Sequence, residues 1–179
     1  MKKVLIIDAD IKKSRMTEIF NLDRNIFGLS DYLQKDIKLP VYYPFRETKN
    51  QALNIDLIPS GRYIDNSSEL LSGRKMQALI RAVEEKYDYI LIDTAPMMDI
   101  VDTLVLGKFV KNVLLVVRPG LSQRQSVAWI LQELEQVSMQ LLGVVVNAYD
   151  ITKRDYKNRY RYGYGQRTEN MDVTSKQAV

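Results

Sequence analysis

Two apolar runs in this chain end in acid. Val4-Leu5-Ile6-Ile7 runs into Asp8-Ala9-Asp10, and Ile90-Leu91-Ile92 runs into Asp93, followed by Thr94-Ala95-Pro96. Short apolar runs bounded by turn residues read as buried strands, although periodicity alone leaves a buried helix segment open. A carboxylate at the end of a buried strand is costly unless it is paired, solvated or holding a metal. In open α/β sheets, ligands also gather at the carboxyl ends of the strands. Asp8, Asp10 and Asp93 are therefore candidates for the floor of an active crevice; the alternative is that they cap helices or mark turns. Asp8 and Asp10 are two residues apart and point the same way if the backbone stays extended through Asp10.

The chain has no cysteine and no histidine. Disulfides, thiolate nucleophiles, imidazole bases and His/Cys metal sites are thereby excluded. A metal would have to be held by oxygen, which suits Mg²⁺ or Ca²⁺.

The elements that would carry these acids can be read in order. Residues 3–8 form a strand without alternation, as expected when both faces are covered in a parallel sheet. Residues 14–20 and 27–33 suit short helices, and 36–53, with Pro40 and Pro44, look irregular. Ile55–Ile58 is a short strand stopped by Pro59-Ser60-Gly61. Asn66-Ser67-Ser68-Glu69 has the form of a capping box, and Leu71, Met76, Leu79, Ile80 and Val83 give the apolar stripe of one helix running to Lys86. After the Ile90 strand, residues 100–109 suit an apolar helix, and Val113–Val117 a strand ending in Arg118. Ser122-x-x-Gln125 again resembles a capping box, before an amphipathic helix with Val127, Ile130, Leu131, Leu134 and Val137. Leu142–Val146 is the last strand, ending in Asn147. Trp129 and Met97-Met98 are expected in the core or lining the crevice. The order predicts an α/β fold with a mainly parallel, doubly wound sheet, whose strand ends at Asp8, Asp93, Arg118 and Asn147 share one edge.

At 179 residues, with 46% hydrophobic and 27% charged content, the chain suits one domain with a substantial core. The net charge of +4 is unevenly placed: residues 151–167 hold six Lys/Arg against one acid, and the rest of the chain carries −1. Few aliphatic residues follow Asp150, too few to offset the entropy of ordering. The expected organisation is a domain over 1–149 and a disordered basic tail over 150–179. The first apolar run is too short for a signal peptide, and no run reaches membrane-spanning length. The chain is cytosolic in character, and a neutral body argues against nucleic acid as its partner.

Together these segments resemble the cytoplasmic kinase domain of the bacterial tyrosine kinases that regulate capsular and exopolysaccharide assembly, a branch of the P-loop ATPases related to the partition and division-site ATPases. Val4 through Lys12 resembles that family's Asp-x-Asp-x-Arg motif, with Lys12 in place of Arg. Ile90 through Pro96 resembles its Walker B strand, usually ending Asp-Thr-Pro-Pro, with Ala95 departing. Gly28-Leu29-Ser30-Asp31-Tyr32-Leu33, Ile58-Pro59-Ser60-Gly61, Glu69-Leu70-Leu71-Ser72, Asp102-Thr103-Leu104-Val105-Leu106, Leu115-Val116-Val117-Arg118 and Leu142 through Asn147 are also family-like. Tyr156, Tyr160, Tyr162 and Tyr164 resemble its C-terminal tyrosine cluster. The resemblance covers nearly the whole chain and rests on the joint order of motifs that are individually weak.

The resemblance implies ATP and Mg²⁺ as cofactors. Asp8, Asp10 and Asp93 would hold or orient the metal, and one of the first pair would help accept the tyrosine proton. Asn147 and Arg118 would lie at the base or ribose, and the four tail tyrosines would be phosphoacceptors. Implied partners are a membrane polysaccharide co-polymerase or transmembrane activator, a full-length kinase, or further copies of the chain, with the work done at the inner face of the membrane. The family's Gly-x-x-x-x-Gly-Lys-Ser/Thr loop and its Glu-x-x-Arg-x-x-Arg oligomerisation motif are not found in these residues. Gly107-Lys108 lacks the leading glycine and is followed by Phe109; Gly73-Arg74-Lys75 fails likewise. Without converging backbone N–H groups and the loop lysine, the expectation is a chain not competent as a kinase alone. The alternatives are a non-enzymatic module whose basic tail docks on a partner, membrane or nucleic acid, and, third, a partition-type ATPase.

Overall fold

The structure, a computed structural model, describes residues 2–23, 25–42, 54–96 and 102–149. The tail, its four tyrosines and Met97-Met98 lie outside the described residues.

Among the described residues five strands form where the continuous apolar runs predict them: β1 Lys3–Asp8, β2 Asn54–Ile58, β3 Tyr89–Asp93, β4 Asn112–Val117 and β5 Gln140–Val146. All the strand pairs are parallel, as crossover connections through helices require. They do not make the single sheet expected. Among the described residues β2-β1-β3 form one sheet and β4-β5 another, so Asp8 and Asp93 end strands of the first while Arg118 and Asn147 follow strands of the second.

Side chains alternate across each strand. Leu5 and Ile7, with Ile58 of β2, face a core completed by Leu29 and Leu33 of α2 (Leu29–Gln34), Leu71 of α3 (Ser67–Leu71) and Met76, Leu79, Ile80 and Val83 of α4 (Arg74–Glu84). Leu106, in a 3-10 turn over Leu106–Lys108 that follows α5 (Asp102–Val105), joins the same core. Leu115 packs instead with Ile130 and Leu134 of α6 (Arg124–Gln136) and with Met139. The two cores meet near Gly107, where an added Cβ would lie 3.0 Å from Met139 Sδ and Val137 Cγ2.

Several local expectations are corrected. The stripe expected as one helix to Lys86 is two, because the chain turns at Ser72-Gly73: Ser72 Oγ donates to Glu69 O at 2.9 Å and Gly73 is extended at the start of α4. Neither capping box forms. The Asn66 side chain bonds no helix N–H and instead donates to Glu69 Oε2 at 3.4 Å. Helix α6 starts at Arg124, and Ser122 Oγ accepts the N–H of Arg118 at 2.9 Å, closing the β4 turn. The helix expected over 100–109 is a single turn of α-helix running into the 3-10 turn. In the segment 14–20 only α1 (Met16–Ile19) is helical. Trp129 is not core: it is 40% exposed on α6.

Candidate functional site

Register brings the strand-end acids together. Leu5 pairs with Ile90, Ile7 with Ile92 and Asp8 with Asp93, so the two carboxylates leave adjacent strands at the same level. The N–H of Ala9 donates to the Asp93 carbonyl at 2.8 Å and carries this pairing one residue past the strand.

Asp8 is fully buried. Its Oδ2 accepts the Ser14 hydroxyl and its Oδ1 accepts the Asp10 N–H at 3.2 Å. The Ser14 Oγ in turn accepts the N–H of Met16 at 3.3 Å, so the start of α1 holds the serine against the acid. The bond from the Asp10 N–H corrects an expectation: the chain turns after Asp8, and Asp10 does not continue an extended strand beside it. Asp10 stays close, with its Oδ1 accepting the N–H of Lys13 at 3.0 Å.

The electrostatics match a site short of positive charge. Burial pushes the Asp8 carboxyl up to about 6; Asp93 and Asp10 push the same way, against the opposing bonds from Ser14 and the Asp10 N–H. Burial raises Asp93 as well, followed by the Asp10 carboxylate, while the Thr94 N–H opposes. Loss of hydration dominates both shifts, with like charge reinforcing it. A cation at this ledge would lower the cost of ionising Asp8 and Asp93.

The side chains suit an oxygen-bound divalent ion that is shared with a second ligand. Among the described residues no three His, Cys, Asp or Glu groups converge tightly enough to hold a metal by themselves. Mg²⁺ commonly takes only one or two carboxylates and fills its shell with water and phosphate oxygens. The acids therefore fit a magnesium bound together with a phosphate-bearing molecule. No Gly-x-x-x-x-Gly-Lys-Ser/Thr sequence occurs in the 179 residues.

Arg118 and Asn147 form a second group. Both are exposed and follow the paired residues Val117 and Val146, with the Asn147 N–H donating to the Val117 carbonyl at 2.8 Å. The Asn147 Oδ1 accepts the N–H of Ala148 at 2.8 Å, a local turn bond that occupies the amide oxygen.

Two features were not visible in the sequence. Ser14 is six residues from Asp8, in no motif, and is drawn in by the turn. Beside β2, Gly28 and Gly61 interlock two segments: Leu29 N donates to Pro59 O at 2.7 Å and Ser30 N to Ser60 O at 2.9 Å. A Cβ on Gly28 would lie 2.1 Å from the Gly61 nitrogen, so only glycine fits. Gly61 has φ +79°, open to glycine at little cost. The buried Asp31 closes the junction by accepting the Gly28 N–H at 3.2 Å, with Lys35 Nζ at 3.6 Å and Arg62 Nε at 3.8 Å. Lengthwise the junction follows Ile58, which pairs with Ile7, so it lies on the same end of the sheet as Asp8.

Comparison with known proteins decides the kinship. Residues 1–148 match the family model described as AAA domain. The chain belongs to that family. It is 34% identical over 166 residues to the putative tyrosine-protein kinase EpsB of Ralstonia nicotianae, covering 93% of this chain and 21% of that protein. It is 30% identical to the solved kinase domain of the Escherichia coli tyrosine kinase Etk, with a TM-score of 0.74, covering 93% of this chain and 62% of that one. The septum site-determining protein MinD of Pyrococcus horikoshii shares the fold, with a TM-score of 0.65 at 24% identity over 86% of this chain and 60% of that one. The chain is thus an α/β domain of the AAA family, homologous to bacterial tyrosine-kinase domains. It spans about a fifth of the length of the curated relatives it matches.

Proposed function

We propose that this chain is the acidic, magnesium-orienting part of a bacterial protein-tyrosine kinase domain that serves polysaccharide assembly, and that it is not a competent kinase alone. The observation carrying this reading is the pairing of Asp8 with Asp93 at the ends of adjacent parallel strands, in a chain 30% identical to the Etk kinase domain. Mg²⁺ would supply charge neutralisation for the phosphates of ATP during phosphoryl transfer, where positioning and electrostatics provide most of the catalysis.

The residues of the chain have separate tasks in this reading. Asp93 and Asp10 orient the ion. Asp8, held by Ser14 and the Asp10 N–H, orients it too or receives the proton of an incoming tyrosine hydroxyl, and its carboxyl near 6 suits a group that changes protonation close to neutral pH. Arg118 and Asn147 contact the base or ribose. Tyr156, Tyr160, Tyr162 and Tyr164 are the phosphoacceptors, each phosphate adding about −1.5 to −2 charge to the basic tail. The setting is the cytoplasmic face of the membrane, reached through a co-polymerase, a transmembrane activator or a complete kinase. No helix among the described residues is long and apolar enough to cross a membrane.

The test is incubation of the purified chain with Mg²⁺-ATP, alone and with the active Etk kinase domain, followed by mass spectrometry of the tail. Phosphate on the tail tyrosines only in the presence of Etk is the expected result. Autophosphorylation of the chain alone overturns the incompetence. An unmodified tail that instead binds anionic vesicles or nucleic acid with steep salt dependence favours the non-enzymatic module.

A further inference from the structure

Asp8 is fully buried, and both its carboxylate oxygens are taken, Oδ1 by the Asp10 N–H at 3.2 Å and Oδ2 by the Ser14 hydroxyl. Ser14 itself is only half-buried and covers Oδ2. Local bonds set its position. The Lys13 N–H donates to Asp10 Oδ1 at 3.0 Å and closes the turn that returns the chain to Asp8. The Met16 N–H donates to Ser14 Oγ at 3.3 Å and fixes the oxygen. A serine hydroxyl has one proton and two lone pairs. The proton goes to Asp8 and one lone pair to Met16, and the other lone pair has no partner among the described residues. Ser14 is thus a hard oxygen donor, held against the acids with acceptor capacity free. Charge favours a cation here. Among the described residues no lysine or arginine forms an ion pair with Asp8, Asp10 or Asp93. A further carboxylate would add to the repulsion among these acids, whereas a neutral hydroxyl adds an oxygen ligand of the kind Mg²⁺ takes without adding charge.

We propose that Ser14 is a direct ligand of the cation that the acid ledge orients. Its hydroxyl turns about the Cβ–Oγ bond, so that the free lone pair faces the ion and the hydrogen points to water or a phosphate oxygen instead of Asp8. Asp8 Oδ2, released from that bond, faces the same ion. The Met16 N–H holds Oγ in place while the hydroxyl turns. This assignment rests on the cation-orienting reading of Asp8, Asp10 and Asp93 above and adds a ligand to that site.

The experiment measures Mn²⁺ binding to the purified 179-residue chain from the electron paramagnetic resonance of the free ion, with Mg²⁺ and Cd²⁺ as competitors at pH 7.5. Mn²⁺ stands in for Mg²⁺, and Cd²⁺ reports sulfur, since thiolates favour soft metals. The chain has no cysteine, so Ser14→Cys introduces its sole thiol. Ser14→Cys should raise the ratio of Cd²⁺ to Mg²⁺ affinity by about tenfold or more, with a thiolate-to-cadmium charge-transfer band in the ultraviolet. Lys13→Cys, at an exposed position one residue away, should keep the wild-type ratio. Because the ratio compares two ions at one site, any change in the protonation of Asp8 cancels from it. Ser14→Ala should bind Mn²⁺ about tenfold more weakly, and Ser14→Thr, which retains the hydroxyl, should restore binding. An unchanged ratio in Ser14→Cys, or Mn²⁺ binding by Ser14→Ala as tight as that of the wild type, would overturn the assignment and leave the acid ledge standing. A wild-type chain that binds no Mn²⁺, or binds it no better than Asp93→Asn, would overturn the ledge and this assignment with it.

Discussion

Replacing Asp8 with asparagine should make the protein more stable and less functional at once. The buried carboxyl is raised from 3.8 to about 6, and each tenfold change in proton affinity corresponds to about 1.4 kcal/mol. Ionising Asp8 in the folded state therefore costs about 3 kcal/mol more than in the unfolded chain. The sign follows from proton binding: between 3.8 and about 6 the folded state holds the extra proton, so stability is highest below that window and falls as pH rises through it. The amide of the variant keeps the size of the carboxyl without the charge: its oxygen can accept the Asp10 N–H while its NH2 donates to the Ser14 Oγ. At pH 7.5, in the absence of divalent ions, Asp8→Asn should gain about 2–3 kcal/mol, roughly 4–12 °C in Tm for a chain of this length. Near pH 3.5 the difference should vanish. Urea titrations of both proteins from pH 3.5 to 8 provide the assay. A variant less stable at pH 7.5, or one whose gain persists at pH 3.5, would refute the idea that an uncompensated buried charge governs this site.

Other perturbations have equally definite outcomes. Ser14→Ala removes a bond that favours the Asp8 carboxylate, so the pH midpoint of stability should move above its starting value near 6. Gly28→Ala drives a Cβ to 2.1 Å from the Gly61 nitrogen and should cost several kcal/mol or prevent folding, whereas Gly120→Ala, with φ +82° but nothing within 4 Å, should cost only about 1–2 kcal/mol; chemical denaturation separates the two. Leu79→Ala leaves a cavity among Leu5, Met76 and Val83 and should destabilise by about 2–5 kcal/mol by the same measurement.

The strands were legible because buried parallel strands are continuous apolar runs, and runs such as Val4–Ile7 and Ile90–Ile92 have almost no polar interruption. The acids at their ends were legible for the same reason. What short-range pattern could not convey was the path of the chain beyond the strands. Asp10 turns away because its N–H has a nearby carboxylate acceptor in Asp8, and a two-residue spacing cannot say whether a strand continues. The α3–α4 stripe hid a break, since Leu71 and Met76 are both buried on either side of Gly73. Capping residues were present, but Asn66 and Ser122 found other partners, Glu69 and the N–H of Arg118. Ser14 and the Gly28–Gly61 junction depend on tertiary approach and leave no spacing to read. The division into two sheets is likewise a matter of which strands pair, and the runs themselves do not encode it.

The central claim is that Asp8, Asp10 and Asp93 form one cation-orienting ledge. Its most direct test is titration of the isotope-labelled chain with Mn²⁺, followed by paramagnetic broadening of backbone amide signals. The account predicts broadening first at Ala9, Asp10 and Thr94, and its loss in Asp93→Asn. Broadening that begins at exposed acids elsewhere, such as Asp23 or Asp65, and leaves residues 8–10 and 93–94 sharp would contradict it.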